Sequence, residues 1–171
     1  MESTAITHTT VDAAERARVS FDALGRRDLS KAEELWGPDT VDHFLPVGTY
    51  QGTEAIRGYF EELFAAFPDF ELEVERIVAE GNTSVVQWHC TGTFNGGSFL
   101  GIEPTGRRVD VRGADVMDWG EDGRLVHNTI YYDGAEFARQ VGMLPRRDSG
   151  ADRAVTAMFN GATKLRARLS R

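Results

Sequence analysis

The hydrophobic pattern divides the chain into a helical first part and a strand-rich second part. Up to Pro68, apolar side chains recur every three to four residues, which is the period of an amphipathic helix. This period predicts helices over residues 11–25, 29–36 and 53–67, with a short strand over 41–45. After Pro68 the period becomes two, which is typical of strands that bury one face and expose the other.

The alternating part predicts four long strands, over residues 70–76, 85–94, 109–119 and 125–133, and a short helical turn follows over 136–142. Gly120 to Gly123 has the composition of a hairpin turn between the last two strands. Helices followed by an antiparallel run of strands indicate the α+β class, with helices covering one face of a curved sheet. A cone of this shape has an open end that suits a small hydrophobic ligand.

Composition limits the cellular setting. The chain has 171 residues, of which 41% are hydrophobic and 27% charged, as in ordinary globular domains. No apolar run approaches the ~20 residues of a membrane span, and the N-terminus lacks the apolar stretch of a signal peptide. Cys90 is the single cysteine, so no internal disulfide can form. We therefore expect a cytoplasmic protein that is not bound to a membrane.

Charge is distributed unevenly along the chain. The net charge is −8, and seven basic against two acidic residues follow Pro145, so residues 1–145 carry −13. This balance argues against nucleic acid as a partner. We expect a flexible N-terminus over 1–9, a central domain over 10–145 and a basic amphipathic helix over 146–171. The helix is expected to pack on its own domain or on a dimer partner; alternatively, Met158 and Phe159 could help to close the mouth of the pocket.

Asp115 is the first candidate for chemistry. It interrupts a row of alternating residues that otherwise face the core, from Val109 through Met117 to Trp119. Burial raises the pKa of a carboxyl group toward the range of a useful general base. A carboxylate held by hydrogen bonds in a purely structural role remains the alternative.

Asp42 and His43 form the second candidate. Neighbours on a strand point to opposite faces, so only one of the two can enter the pocket. We consider His43 as an acid or base, because imidazole titrates near neutrality, and Asp42 as a substrate contact. We expect further contacts from apolar-face residues of the helix and strands, namely Phe60, Phe64, Trp88 and Met117. Four histidines and one cysteine show no metal-ligand spacing, so we expect no metal.

Several motifs resemble one family. The stretch from Phe99 to Val109 is similar to the F-x-G-I-x-P-T-G-R-x-V signature of SnoaL-like polyketide cyclases. Shorter matches lie at 113–115, 121–124 and 139–142, and the resemblance covers about residues 10–145. It implies the nuclear-transport-factor-like cone fold, shared with ketosteroid isomerases and limonene epoxide hydrolases. It also implies a homodimer without a cofactor.

The last strand departs from that family pattern. Resembling cyclases place a catalytic Asp seven residues after the hairpin glycine, where this chain has Ile130, and often a His where it has Asn128. The family pattern implies that Asn128, Ile130 and Tyr132 line the pocket, and Asn128 or Tyr132 could donate to a substrate oxyanion.

Three functions remain open at this point. The first is a cofactor-independent cyclase, isomerase or epoxide hydrolase acting on a hydrophobic carbonyl compound or epoxide, with Asp115 or His43 as base. The second is a protein of the same fold that binds a small ligand without chemistry. The third is a scaffold whose cone is filled with side chains.

Overall fold

The structure is a computed structural model that describes residues 11–169. The helices are α1 Ala13–Gly25, α2 Leu29–Glu33, α3 Gly52–Ala66, α4 Gly134–Val141 and α5 Gly150–Leu169. The strands are β1 Val41–Phe44, β2 Gly48–Gln51, β3 Glu71–Glu80, β4 Thr83–Thr93, β5 Arg108–Trp119 and β6 Leu125–Tyr132. The α+β prediction is confirmed; among the described residues, the sequence pattern missed only the short strand β2.

The six strands form one curved, unclosed sheet in the order β2-β1-β6-β5-β4-β3. Neighbouring strands are antiparallel except for β1 and β6, which run parallel. The expectation of an antiparallel sheet is therefore wrong at this one pair. The intervening α3 and four strands form a long crossover that returns the chain beside β1 in the same direction. This pairing places Asp42 directly opposite Asn128.

Apolar side chains from the helices and from the concave face of the sheet form the core. Ala17, Ile56 and Val86 are fully buried there. A bulge in β3 changes which side chains face this core, because Val74 lies opposite Trp88 and Arg76 opposite Gln87, leaving Glu75 as the extra residue. The simple alternation through Arg76 that the sequence suggested is interrupted there, and Ile77 packs against the core instead.

The C-terminal helix α5 forms as predicted, with the Ser149 hydroxyl accepting a hydrogen bond from the Asp152 backbone N–H at 3.1 Å. However, none of its residues is buried, so the expectation that it packs on its own domain is wrong. Met158 and Phe159 are 75% and 70% exposed and do not line the pocket, so they do not close its mouth in this structure. None of the helices within residues 11–169 is both long and apolar enough to cross a membrane. The predicted N-terminal segment over 1–9 lies outside the described residues.

Gly113 in β5 permits the Trp88 ring to pack closely against the sheet backbone. A Cβ atom at this position would lie 2.3 Å from Cζ2 of Trp88 and 2.5 Å from the Tyr131 carbonyl oxygen. The Trp88 ring therefore occupies the space that any other residue at position 113 would need.

We expect Gly113→Ala to lower the free energy of unfolding by about 1–3 kcal/mol, because the indole or the strand must shift. Gly58→Ala in α3 is the matched control, since no atom beyond its own helix backbone lies within 4 Å of where the added methyl group would stand. That helix also gains by losing a glycine. Urea unfolding followed by tryptophan fluorescence measures both. Equal stability of the two variants would contradict this account of Gly113.

Candidate functional site

A cavity opens between the concave face of the sheet and the helices, with an empty volume of about 970 Å³ that includes its mouth. Eight of the ten phenylalanines in the chain line it. Its aromatic lining comprises Phe21, Trp36, Phe44, Tyr59, Phe60, Phe64, Phe67, Phe70, Trp88, Phe99, Tyr132 and Phe137. The space left open among these side chains argues against the filled-cone scaffold.

Three polar side chains from adjacent strands meet in this apolar wall. Asp42 comes from β1, Asn128 from β6 and Asp115 from β5. They are 2%, 4% and 6% exposed, respectively. Burial of two carboxyl groups in such surroundings is costly unless each is hydrogen-bonded or neutral. The hydrogen bonds of the cluster are therefore decisive.

Asp115 is held at both oxygens. The Trp88 indole Nε1 donates to Oδ1 at 2.7 Å, and the Asn128 Nδ2 donates to Oδ2 at 2.9 Å. Charge-assisted bonds of this type stabilise the ionised form. By contrast, Oδ1 of Asp42 and Oδ1 of Asn128 are buried without a hydrogen-bond partner among the described residues.

The two carboxyl groups have different proton affinities because their surroundings differ. Burial, and to a smaller extent the nearby charge of Asp115, raise the pKa of Asp42 to about 8, although the Asn128 amide opposes the shift. Burial raises the pKa of Asp115 to about 6, against the lowering effect of the bonds from Asn128 and Trp88. Near pH 7, Asp115 is therefore mainly a carboxylate and Asp42 mainly a carboxylic acid.

This arrangement places a proton acceptor and a proton donor in one cavity. The protonated Asp42 can donate to an oxygen of a bound molecule or to the unpartnered oxygen of Asn128. Asp115 can accept a proton once a substrate lies within hydrogen-bonding reach. Asn128, whose amide already donates to Asp115, primarily fixes the carboxylate.

Two tyrosines add neutral hydroxyl groups to the lining. Burial raises the pKa of Tyr132 to about 12 and that of Tyr59 well above its usual value, so both phenols stay protonated. Tyr132 was expected here, whereas the sequence pattern did not single out Tyr59. The sequence indicated only weakly that Tyr59 lines the cavity, because Tyr59 precedes Phe60 in α3 and resembles an ordinary aromatic core residue.

Nine of the ten predicted site residues line the cavity, and His43 does not. Successive residues of β1 alternate between the two sheet faces, so Asp42 faces the cavity while His43 faces away, opposite Thr129. The acid/base role considered for His43 therefore has no support from its position. Asp42, which was expected to be only a substrate contact, occupies the position suited to that chemistry. The cavity lining also includes Phe60, Phe64, Trp88, Asp115, Met117, Asn128, Ile130 and Tyr132.

Comparison with known proteins gives a consistent family and fold. The family model for "SnoaL-like polyketide cyclase" matches residues 14–141. AclR from Streptomyces galilaeus, for which a hydroxylase activity is suggested, is 25% identical, with a TM-score of 0.69 over 95% of this chain and 96% of its own. A SnoaL-like protein from Jannaschia sp. CCS1, with a suggested polyketide cyclase activity, is 26% identical, with a TM-score of 0.70 over 85% and 99% of the two chains.

A third similar structure is IdmH from Streptomyces antibioticus, for which a polyketide cyclase activity is also suggested. It is 26% identical, with a TM-score of 0.65 over 77% of this chain and 99% of its own. Among curated proteins, no sequence matches significantly.

The raised pKa of Asp42 predicts how stability depends on pH. The folded state binds this proton more tightly than the unfolded state, where the carboxyl group has its ordinary value of 3.8. The contribution of this group to stability is therefore complete below pH ~4 and falls as pH rises towards ~8. Asparagine cannot ionise. The free energy of unfolding of Asp42→Asn, relative to that of the unmodified protein, should therefore increase by about 1–3 kcal/mol as the pH rises from 5 to 7.

Urea unfolding at several pH values between 4 and 9 measures this difference. Asp118→Asn on the outer face of β5 is the matched control, because Asp118 is exposed and bonds the Thr83 hydroxyl. The same pH-dependent change in both variants would show that burial of Asp42 is not its cause.

Proposed function

Because the chain belongs to the SnoaL-like polyketide cyclase family, we propose that it is a cofactor-independent enzyme that transfers protons on a hydrophobic carbonyl substrate. The observation that carries this proposal is the pair of buried carboxyl groups, Asp42 and Asp115, in one aromatic cavity with opposite protonation near pH 7. Pairs whose surroundings separate their pKa values in this way are suited to acid/base roles.

Asp115 acts as the base in the proposed reaction. Its carboxylate takes a proton from the carbon next to the substrate carbonyl, the C–H bond breaks, and its electrons move towards the carbonyl oxygen. Asp42 supplies its proton to that oxygen, which gives an enol. Trp88 and Asn128 keep Asp115 in place throughout.

The enol can then react further without any additional reagent. Its carbon attacks a second carbonyl of the same molecule, and a carbon–carbon bond closes the ring. The oxygen of the second carbonyl takes the proton from Asp115, and Asp42 recovers its proton from the enol oxygen. Return of the proton to a different carbon instead would give isomerisation. Both routes restore the two carboxyl groups.

The lining also defines the substrate class. Lys, Arg and His are absent from the described residues around the cavity, so nothing there would neutralise an anionic substrate beside two carboxyl groups. Twelve aromatic side chains instead favour a flat, uncharged molecule. We propose an aromatic or polycyclic ketone. An epoxide is the alternative within the same chemistry, with Asp42 protonating its oxygen and Asp115 activating a water molecule.

Ile130 favours a second candidate function. This buried apolar side chain lines the cavity where the resembling cyclases have a catalytic Asp. On this alternative, the protein binds a hydrophobic ligand without transforming it.

Deuterium exchange at the carbon next to a ketone separates the two candidates. NMR in D2O, on a panel of aromatic diketones, detects proton abstraction whether or not a ring closes. We expect Asp115→Asn to slow exchange by about 10²–10⁴-fold, because general acid/base groups contribute this much. Asp118→Asn is the control. If the ketones displace a bound hydrophobic dye at low concentration but the unmodified protein catalyses no deuterium exchange, the protein binds its ligand without transforming it.

The pH dependence of the exchange rate tests the assignment of acid and base. The rate should rise as Asp115 ionises near pH 6 and fall as Asp42 loses its proton near pH 8. Asp42→Asn should remove the fall at high pH, since the amide cannot titrate. A fall that persists in this variant would mean that another group provides the acid.

A further inference from the structure

The helix α5 presents an apolar stripe that the rest of the described chain leaves uncovered. Leu165 is 58%, Met158 75% and Leu169 79% exposed, and Phe159, which flanks this stripe, is 70% exposed. The stripe lies on one face because its members are spaced alternately by four and three residues, as Ala151, Val155, Met158, Ala162, Leu165 and Leu169. This spacing has the average period of 3.5 found in coiled coils, where the seam contacts another helix.

From this pattern we propose that α5 pairs in antiparallel orientation with α5 of a second copy of this chain, about a two-fold axis near Phe159. In this arrangement each large side chain meets a smaller or complementary one from the partner. Each layer of the seam is a pair of side chains, one from each helix. Three kinds of layer form, which pair Ala151 with Leu169, Val155 with Leu165, and Met158 with Ala162. Each layer occurs twice because of the two-fold symmetry.

A parallel pair would fill its seam unevenly. It would place the two Leu169 side chains together and the two Ala151 side chains together, which crowds one end and leaves space at the other. Helix interfaces favour uniform, dense packing. The order of small and large residues along α5 therefore selects the antiparallel arrangement.

The charges of α5 select the same orientation. Lys164, Arg166 and Arg168 lie near its C-terminal end, while Asp152 lies in its first turn. Antiparallel pairing places Arg166 beside Asp152 of the partner subunit, at both ends of the interface, and opposes the helix dipoles. Parallel pairing would instead place the basic ends side by side.

The narrow stripe favours a second copy over a membrane surface. Ala151 and Ala162 interrupt its large side chains. Apart from the flanking Phe159, the large apolar residues of α5 keep to two positions in seven, which matches a helical seam. Helices that lie in a bilayer surface instead carry bulky apolar residues over a wide face.

Sedimentation equilibrium on the full chain tests the pairing. The unmodified protein should dimerise, and Val155→Glu with Leu165→Glu should raise the dimer dissociation constant at least about tenfold, because two glutamates then face each other in each of the two Val155–Leu165 layers. Asn160→Glu on the opposite face is the control and should leave the constant unchanged. Exposure of α5 means that the domain should stay folded, which its unfolding midpoint in urea verifies.

Cross-linking tests the orientation. A short bismaleimide should join two copies of Phe159→Cys, which lies near the proposed axis. It should not join two copies of Leu169→Cys, which stand roughly 27 Å apart in the antiparallel pair. Burial raises the pKa of the native Cys90 thiol to about 12, which slows its reaction with maleimides, and the unmodified protein controls for any cross-linking through Cys90.

Three results would overturn the proposal. A dimer that survives the double Glu substitution would use another surface. Efficient cross-linking of Leu169→Cys would indicate parallel helices. An unmodified protein that stays monomeric and binds phosphatidylserine vesicles would show that a membrane covers the stripe.

Discussion

The parallel contact between β1 and β6 is the pairing on which the site depends. It brings a short strand near the start of the chain beside the last long strand, so that Asp42 lies opposite Asn128. The antiparallel pairing of β6 with β5 places Asp115 on the other side of Asn128, and the hydrogen bond between these two side chains crosses that pair. One amide therefore stands between two carboxyl groups, in a wall made mainly of aromatic and aliphatic side chains.

The same apolar wall gives the two carboxyl groups their different properties. Both lose solvent, which raises both pKa values. The two hydrogen bonds that the oxygens of Asp115 accept offset part of its desolvation cost. By contrast, Oδ1 of Asp42 has no hydrogen-bond partner among the described residues. The imbalance favours the ion at Asp115 and the acid at Asp42. The packing of Trp88 over Gly113 contributes directly, because that glycine leaves the indole room to reach Asp115.

The apolar surfaces of the cavity and of helix α5 differ in shape and therefore suit different partners. Aromatic side chains of the cone surround a space that a small molecule can fill. The stripe on α5 is convex, open and regular in spacing, which suits another helix. The first feature concerns chemistry and the second concerns assembly, and each rests on its own residues.

Much of this architecture could be predicted from local patterns. The change of hydrophobic period after Pro68 gave the helices and long strands, and the position of Asp115 in an apolar row marked it as a buried carboxyl group. Local patterns are reliable there because burial on one face sets the period of a helix or strand. The same alternation showed that Asp42 and His43 face opposite ways, but it did not show which of them faces the cavity.

Only the tertiary structure decided that question, because it depends on which face of β1 the sheet turns towards the helices. The bulge at Glu75 similarly ended an alternation that the sequence suggested would continue. The cluster joins Asp42 to Asn128 and Asp115, both more than seventy positions further along the chain, through a parallel pairing that no local pattern specifies. The amino-acid sequence by itself determined the elements, their amphipathic faces and the family. The fold determined which polar side chains share one cavity, since contacts between distant strands arise only when the whole sheet is assembled.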